Sequence, residues 1–169
     1  MVHPCRSSVG PWLVALGILL GTAGPLGAQG VPASMLAASR DTIVIKSQLR
    51  LAVTFGSDVL ARLQAAPTDD SVPIDPVLLR KARDTYALIR AGRHGFELER
   101  EWNEGKKGIL PDPIKDLAFK RVDNAWNLSR TTVDLSSSLG IPRAEYLQRS
   151  ADDMSRAIQQ LNQALAILP

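Results

Sequence analysis

The chain has 169 residues, of which 45% are hydrophobic, 22% are charged and only 5% are aromatic, and its formal net charge is +3. These are ordinary values for a globular protein, and the length favours a single domain. Basic and acidic residues are interspersed, so the composition excludes a clear nucleic-acid-binding surface. The single cysteine, Cys5, lies near the N-terminus, so the remainder of the chain carries no disulfide and no thiolate metal site.

The first 28 residues have the layout of a secretory signal peptide. Arg6 precedes an apolar run over residues 12–20, and small residues lead up to Ala28. This run is shorter than the roughly 20 residues that span a membrane comfortably, but residues 9–28 together reach that length. We therefore predict an exported protein, periplasmic or extracellular, in which residues 1–28 are a signal peptide or an uncleaved membrane anchor.

Residues 31–169 are predicted to form a four-helix bundle whose first helix spans about residues 34–66. The β-branched run over residues 42–45 has weak helix propensity. No second segment could pair with a strand there, so a helix is still expected. Its inward-facing residues recur at steps of three and four: Ala38, Thr42, Ile45, Leu49, Ala52, Gly56, Val59 and Leu63.

The second and third predicted helices, at about 76–104 and 113–138, begin with the same sequence device. Asp75-Pro76 and Asp112-Pro113 each place a capping carboxylate before a proline at the first helical position. In the second helix, Gly92 and Gly95 indicate a kink or a close helix contact. In the third, Gly140 is expected to close the helix, and the residues predicted to face inward are Ile114, Leu117, Ala118, Val122, Ala125, Leu128, Leu135 and Leu139.

The fourth predicted helix, at about 142–168, has the most regular apolar stripe. Short connections make successive helices antiparallel. The predicted fold is therefore all-α, an up-down four-helix bundle preceded by an N-terminal hydrophobic leader or anchor helix. The stripe of the fourth helix consists of Leu147, Ala151, Met154, Ile158, Leu161, Leu165 and Leu168.

The chain offers no constellation of catalytic residues. His94 is the only histidine outside the leader, and it lies beside Arg93, off the main stripe. A single histidine disfavours a serine or cysteine hydrolase, and a di-iron bundle would need paired Glu-x-x-His motifs. We therefore predict that the protein is not an enzyme and holds no metal and no cofactor.

One alternative function stays open, a carrier of a small ligand or haem. In an up-down bundle, His94 on the second helix and Met154 on the fourth would lie at similar heights, and some exported bundles hold haem between such residues. Against this, second and fourth helices are usually diagonal. A methionine on the stripe is also well suited to filling the core.

The favoured function is an exported, non-enzymatic structural or interaction subunit, accessory to a membrane-associated complex. The loop between the second and third helices lies at the end of the bundle where the leader joins. It carries Lys106, Lys107, Ile109 and Leu110, and Trp102 lies about one turn before it. These groups suit a partner protein, a membrane complex or an anionic membrane surface. Alternatively, Ile109 and Leu110 simply close the end of the bundle.

Overall fold

The computed structural model describes residues 31–107, 112–135 and 140–169, and all regular secondary structure in these ranges is helical. The prediction of an all-α protein is confirmed for this part of the chain. None of its helices is long and apolar enough to cross a membrane. The predicted leader, residues 1–28, lies outside the described residues. The helices are α1 (Ala33–Leu36), α2 (Thr42–Ala65), α3 (Pro76–Lys107), α4 (Pro113–Val133) and α5 (Arg143–Ile167).

The four long helices pack in a closed ring. Helix α2 packs against α3, α3 against α4, α4 against α5, and α5 returns to α2. In every pair, the start of one helix lies beside the end of the other, so neighbours are antiparallel. Contacts that fix these directions are Arg62–Asp75, Lys115–Glu99, Tyr146–Thr131 and Lys46–Leu168.

The core consists of two apolar clusters that lie one above the other along the bundle axis. Alanines on α4 and α5 and a glycine on α2 keep many of the buried side chains small, which allows helix backbones to approach closely. One cluster is built on Ile45, Leu49, Ala52, Leu88, Ile89, Phe96, Ala118, Val122, Ala125, Ala157, Leu161, Ala164 and Leu168. The other is built on Val59, Leu63, Leu78, Ala82, Leu135, Leu147, Ala151 and Met154.

Aspartate side chains satisfy the first free amides of three long helices. The carboxylates of Asp75 and Asp112 accept hydrogen bonds from the N–H groups two residues later, at 2.8 and 2.9 Å. A proline follows each of them, so both predicted helix starts are confirmed. Asp41 caps α2 in the same way, with its carboxylate 2.8 Å from the N–H of Ile43.

The first predicted helix is wrong in its N-terminal part, because the chain is interrupted between α1 and α2. Ala37 is extended, and α2 begins only after Asp41, whose extended backbone ends any helix coming from before it. The side-chain amide of Gln48, fully buried on α2, donates to the carbonyls of Met35 and Ala37 at 2.9 and 2.7 Å. These bonds hold residues 37–41, the strap, against the bundle.

The end predicted for the third helix is also wrong, because α4 stops at Val133 instead of residue 138. The hydroxyls of Thr131 and Thr132 donate to carbonyls three residues earlier, and such bonds compete with the helical ladder. Gly140, with a φ of +73°, therefore belongs to the linker before α5 and does not close the helix. Leu139 lies outside the described residues.

Two residues predicted to face inward, Ile114 and Leu117, are 53% and 46% exposed. Both belong to the first turns of α4, before the buried stripe that starts at Ala118. The other helix bounds differ little from prediction: α3 continues to Lys107 instead of 104, and α5 begins one residue after Pro142.

Gly95 lies where α3 comes closest to the strap and to α2. A Cβ atom there would overlap the backbone carbonyl oxygen of Ser39 and would lie 2.9 Å from Cγ1 of Ile45. At Gly92 it would lie 2.9 Å from Cδ2 of Leu49. Of the two roles predicted for these glycines, the structure therefore shows a close contact.

Leu161 tests the predicted stripe of α5, since it is almost fully buried in the core. We expect Leu161→Ala to lower the free energy of unfolding by about 2–5 kcal/mol through lost burial and a residual cavity. The matched control is Gln159→Ala on the exposed side of the same helix, which should change it by less than about 0.5 kcal/mol. Chemical denaturation measures both. An unchanged midpoint for Leu161→Ala would contradict the assignment.

Two glycines of α3 provide a matched pair of substitutions with opposite expected effects on stability. Gly105→Ala should stabilise the protein by up to about 1 kcal/mol, because it improves helix propensity and a Cβ there meets nothing within 4 Å. Gly95→Ala should destabilise it, because its Cβ overlaps the strap. Thermal unfolding of the two variants measures the difference, and equal shifts in the melting temperature would show that the strap does not pack against Gly95.

Candidate functional site

One end of the bundle collects most of the exposed apolar side chains. This end, named the Trp102 end, is formed by the start of α2, the end of α3, the start of α4 and the end of α5; the opposite end is named the Asp69 end. Within the described ranges, six large hydrophobic side chains are exposed, and four of them lie at the Trp102 end. These four are Ile43, Trp102, Ile114 and Leu117.

The exposure of Trp102 follows from a difference in helix length. Helix α3 has 32 residues, whereas α4 has 21 and α5 has 25. Phe96 is the last core residue of α3 among those described. The following residues 97–107, the overhang, are helical but lie beyond it and extend roughly 16 Å. Side chains of the overhang therefore have few partners in the core.

Trp102 lies on the side of the overhang that faces the strap. The guanidinium of Arg40 is 4.0 Å from the centre of its ring, a distance typical of a cation–π contact. The indole is nevertheless 42% exposed. A shallow depression beside it is lined by Ala38, Ser39, Arg40, Leu98, Glu101, Trp102 and Gly105. The strap thus covers one part of the indole and leaves the rest accessible.

A groove of about 330 Å³ lies between α3 and α4 on another face of the overhang. Phe96 and Phe119, one from each helix, meet edge to face with ring centres 6.3 Å apart and form part of its lining. The volume is at the lower end of the range of roughly 300–1,000 Å³ for small-molecule pockets. The groove can therefore take a few side chains or a small molecule, but not a whole helix.

The groove is acidic, although the protein has a net positive charge. Its lining includes six carboxylates and two cationic side chains. Four of the carboxylates are in ion pairs: Glu97 with Arg93, Glu99 with Lys115, Glu104 with Arg100, and Asp116 with Lys120. Asp112 caps α4, and Glu101, which is exposed, lines both the groove and the depression beside Trp102.

Arg93, one turn before Phe96, ties α3 to α4 next to the groove. Its Nε donates to a carboxylate oxygen of Asp123 at 2.6 Å, and this hydrogen bond raises the pKa of Arg93. Its guanidinium lies 4.8 Å from the ring centre of Trp126 and 5.6 Å from that of Phe119. Arg93 therefore joins α3 to α4 by an ion pair and by aromatic contacts.

The structure places only some of the predicted contact residues. Trp102 is accessible at the predicted end of the bundle. Lys106 and Lys107 are the last two residues of α3, and their side chains are not among those described. Ile109 and Leu110 lie outside the described residues. Whether these two close the bundle or contact a partner stays a prediction.

The two residues considered for haem lie at different heights. A Cβ at Gly56 of α2 would be 3.2 Å from Sδ of Met154, whereas the glycines on either side of His94 face Leu49 and Ile45 of α2. Leu49 and Ile45 are about two and three turns from Gly56, or roughly 10–16 Å along the axis. The prediction that His94 and Met154 lie at similar heights along the bundle axis is therefore wrong. Met154 is fully buried, and the side chain of His94 is 55% exposed and 3.2 Å from Glu97.

Sequence reasoning did not identify the groove residues. Phe119 and Glu99 lie off the predicted apolar stripes, and the sequence gives neither of them a role. The capped start of α4 indicates where that helix begins, but not which of its residues oppose Phe96. No group of three or more residues able to hold a metal ion occurs in the described part of the chain.

No protein family, curated protein or solved structure matches this chain. The described residues define an all-α protein.

His94 provides a test of the carrier alternative. We expect His94→Ala to change the free energy of unfolding by less than about 0.5 kcal/mol, because the ring is exposed. The absorbance spectrum of protein purified from its native source should also stay the same. Met154→Ala is the comparison and should cost about 2–5 kcal/mol, since Met154 is a core residue. Loss of a bound chromophore in His94→Ala would restore the carrier hypothesis.

Proposed function

We propose that this protein is an exported, non-enzymatic helical bundle that acts as an interaction subunit, accessory to a membrane-associated complex, and binds its partner through the Trp102 end. The observation that carries the proposal is the overhang of α3, together with the exposed apolar side chains around it. Monomeric proteins expose single apolar residues commonly, but a group at one end indicates a contact surface.

The position at which the chain enters the bundle supports a role near the membrane. Residues 1–28 have the pattern of an export leader, and the chain passes from there through α1 and the strap to the Trp102 end. If the leader is retained as an anchor, this end is held close to the membrane. A partner in the same membrane then meets it at high effective concentration.

The charges at the Trp102 end favour a protein partner over an anionic lipid surface. Six carboxylates line the groove between α3 and α4, and anionic headgroups would be repelled by them. Lys106 and Lys107, the last two residues of α3, would favour an anionic surface instead, but they are fewer than these carboxylates. The ion pairs of the groove carboxylates also suit a binding surface better than acid–base catalysis.

Site-specific photocrosslinking in the native cells tests this function. A photoreactive amino acid in place of Leu117, which is 46% exposed at the Trp102 end, should capture a defined partner protein. The matched control replaces Ile141, which is exposed to a similar degree near the Asp69 end, and should give no such adduct. The absence of an adduct at position 117, or the same adducts at both positions, would reject the proposal.

A further inference from the structure

We propose that the groove between α3 and α4 receives a lysine or arginine side chain of the partner protein, with an aliphatic neighbour beside it. This inference rests on the proposed function and specifies the chemistry of the partner segment. The lining combines two features that such a segment would satisfy, an aromatic surface and a local excess of carboxylates.

The aromatic part of the lining suits the long stem of a basic side chain. Phe96 is buried and Phe119 is half-buried, so together they present fixed ring surface between the helices. Lysine and arginine bury their methylene groups along such surfaces while their charged ends stay near water or an anion. An aliphatic residue adjacent to the basic one could cover the remaining ring surface.

The carboxylates would then surround the charged end. Glu97, Glu99 and Glu104 belong to the overhang of α3, and Asp112 and Asp116 face them from the start of α4. Two of the ion-pair partners, Arg93 and Lys120, are not among the residues that line the groove, whereas the other two, Arg100 and Lys115, are. Glu101 belongs to none of the four ion pairs described above and is exposed on the rim. It is therefore the carboxylate best able to pair with an incoming cation.

Attraction for a basic segment is confined to the groove, because the protein as a whole carries a positive net charge. A net charge of +3 repels a cationic segment in general, so attraction has to come from the groove. The volume of about 330 Å³ limits the inserted part to a few side chains. The occupant is thus a short basic and aliphatic stretch of the partner, rather than an entire helix buried between α3 and α4.

A fluorescein-labelled synthetic peptide with alternating lysine and leucine is the probe. Fluorescence anisotropy with the full chain at low salt should show saturable binding that weakens as salt is added. Glu101→Lys should weaken binding roughly tenfold. The control Asp152→Lys makes the same charge change on the exposed face of α5 and should change binding by less than about twofold. Phe119→Leu should also weaken binding without loss of the folded state, as followed by circular dichroism.

Four results would contradict the proposed contact in the groove. Equal weakening by Glu101→Lys and Asp152→Lys would mean general electrostatics, and equally tight binding of spermidine would mean a site for small organic cations. Either result would overturn the proposal, as would the absence of peptide binding. Binding only to phosphatidylglycerol vesicles, lost in the double variant Lys106→Glu and Lys107→Glu, would replace it with a lipid contact.

The photocrosslinking experiment separates this inference from the proposed function. An adduct at position 117 together with no peptide binding would reject the groove as the contact and leave the interaction function standing. Peptide binding without any adduct in cells would reject the interaction function itself.

Discussion

The structure depends on the need of each long helix to bury one apolar stripe along its length. An isolated helix cannot do so, and most helical stability in proteins comes from packing such a stripe. In α5 the buried apolar positions run from Leu147 to Ala164, and Leu168 directly after the helix is also buried. They require two neighbouring helices over the whole of that distance. Helices α2 and α4 meet this need in antiparallel orientation, and α3 closes the ring on the other side.

The Trp102 end follows from the same requirement, because α3 is longer than its stripe. Its sequence after Phe96 is rich in charged residues with strong helix propensity, so the helix continues where no core remains to be covered. The ion pair between Arg100 and Glu104 supports this extension at one-turn spacing. The overhang therefore presents polar and aromatic groups on a rigid helix instead of a loop, which suits the proposed recognition of a partner.

The apolar spacing and the helix caps were enough to predict the all-α class and most helix starts. Asp75-Pro76 and Asp112-Pro113 act locally, so a single sequence contains all the information needed to interpret them. The strap was not predictable in this way. It depends on two partly buried hydrogen bonds that the side-chain amide of Gln48 donates to carbonyls more than ten residues earlier. The glutamine itself gives no indication in the sequence of these partners.

The candidate site was predictable only in part, for a related reason. The sequence placed Trp102 at the end of the bundle where α2 begins, because up-down connectivity determines which helix ends lie together. The groove needs the register of α3 against α4, and the opposition of Phe96 and Phe119 becomes visible only when both helices are aligned. The same lack of register explains the error over His94 and Met154, whose heights were compared through helix order alone.

The strap also determines how firmly the predicted leader would be connected to the bundle. Gln48 fixes the chain at Met35 and Ala37 from inside the core, so a pulling force on the N-terminal segment acts directly on the body of the bundle. Only residues 29–32 separate the predicted leader from α1, and four residues extend to roughly 14 Å at most. With the leader in a membrane, the bundle would be a short-tethered body that presents one end to its surroundings at a nearly constant height.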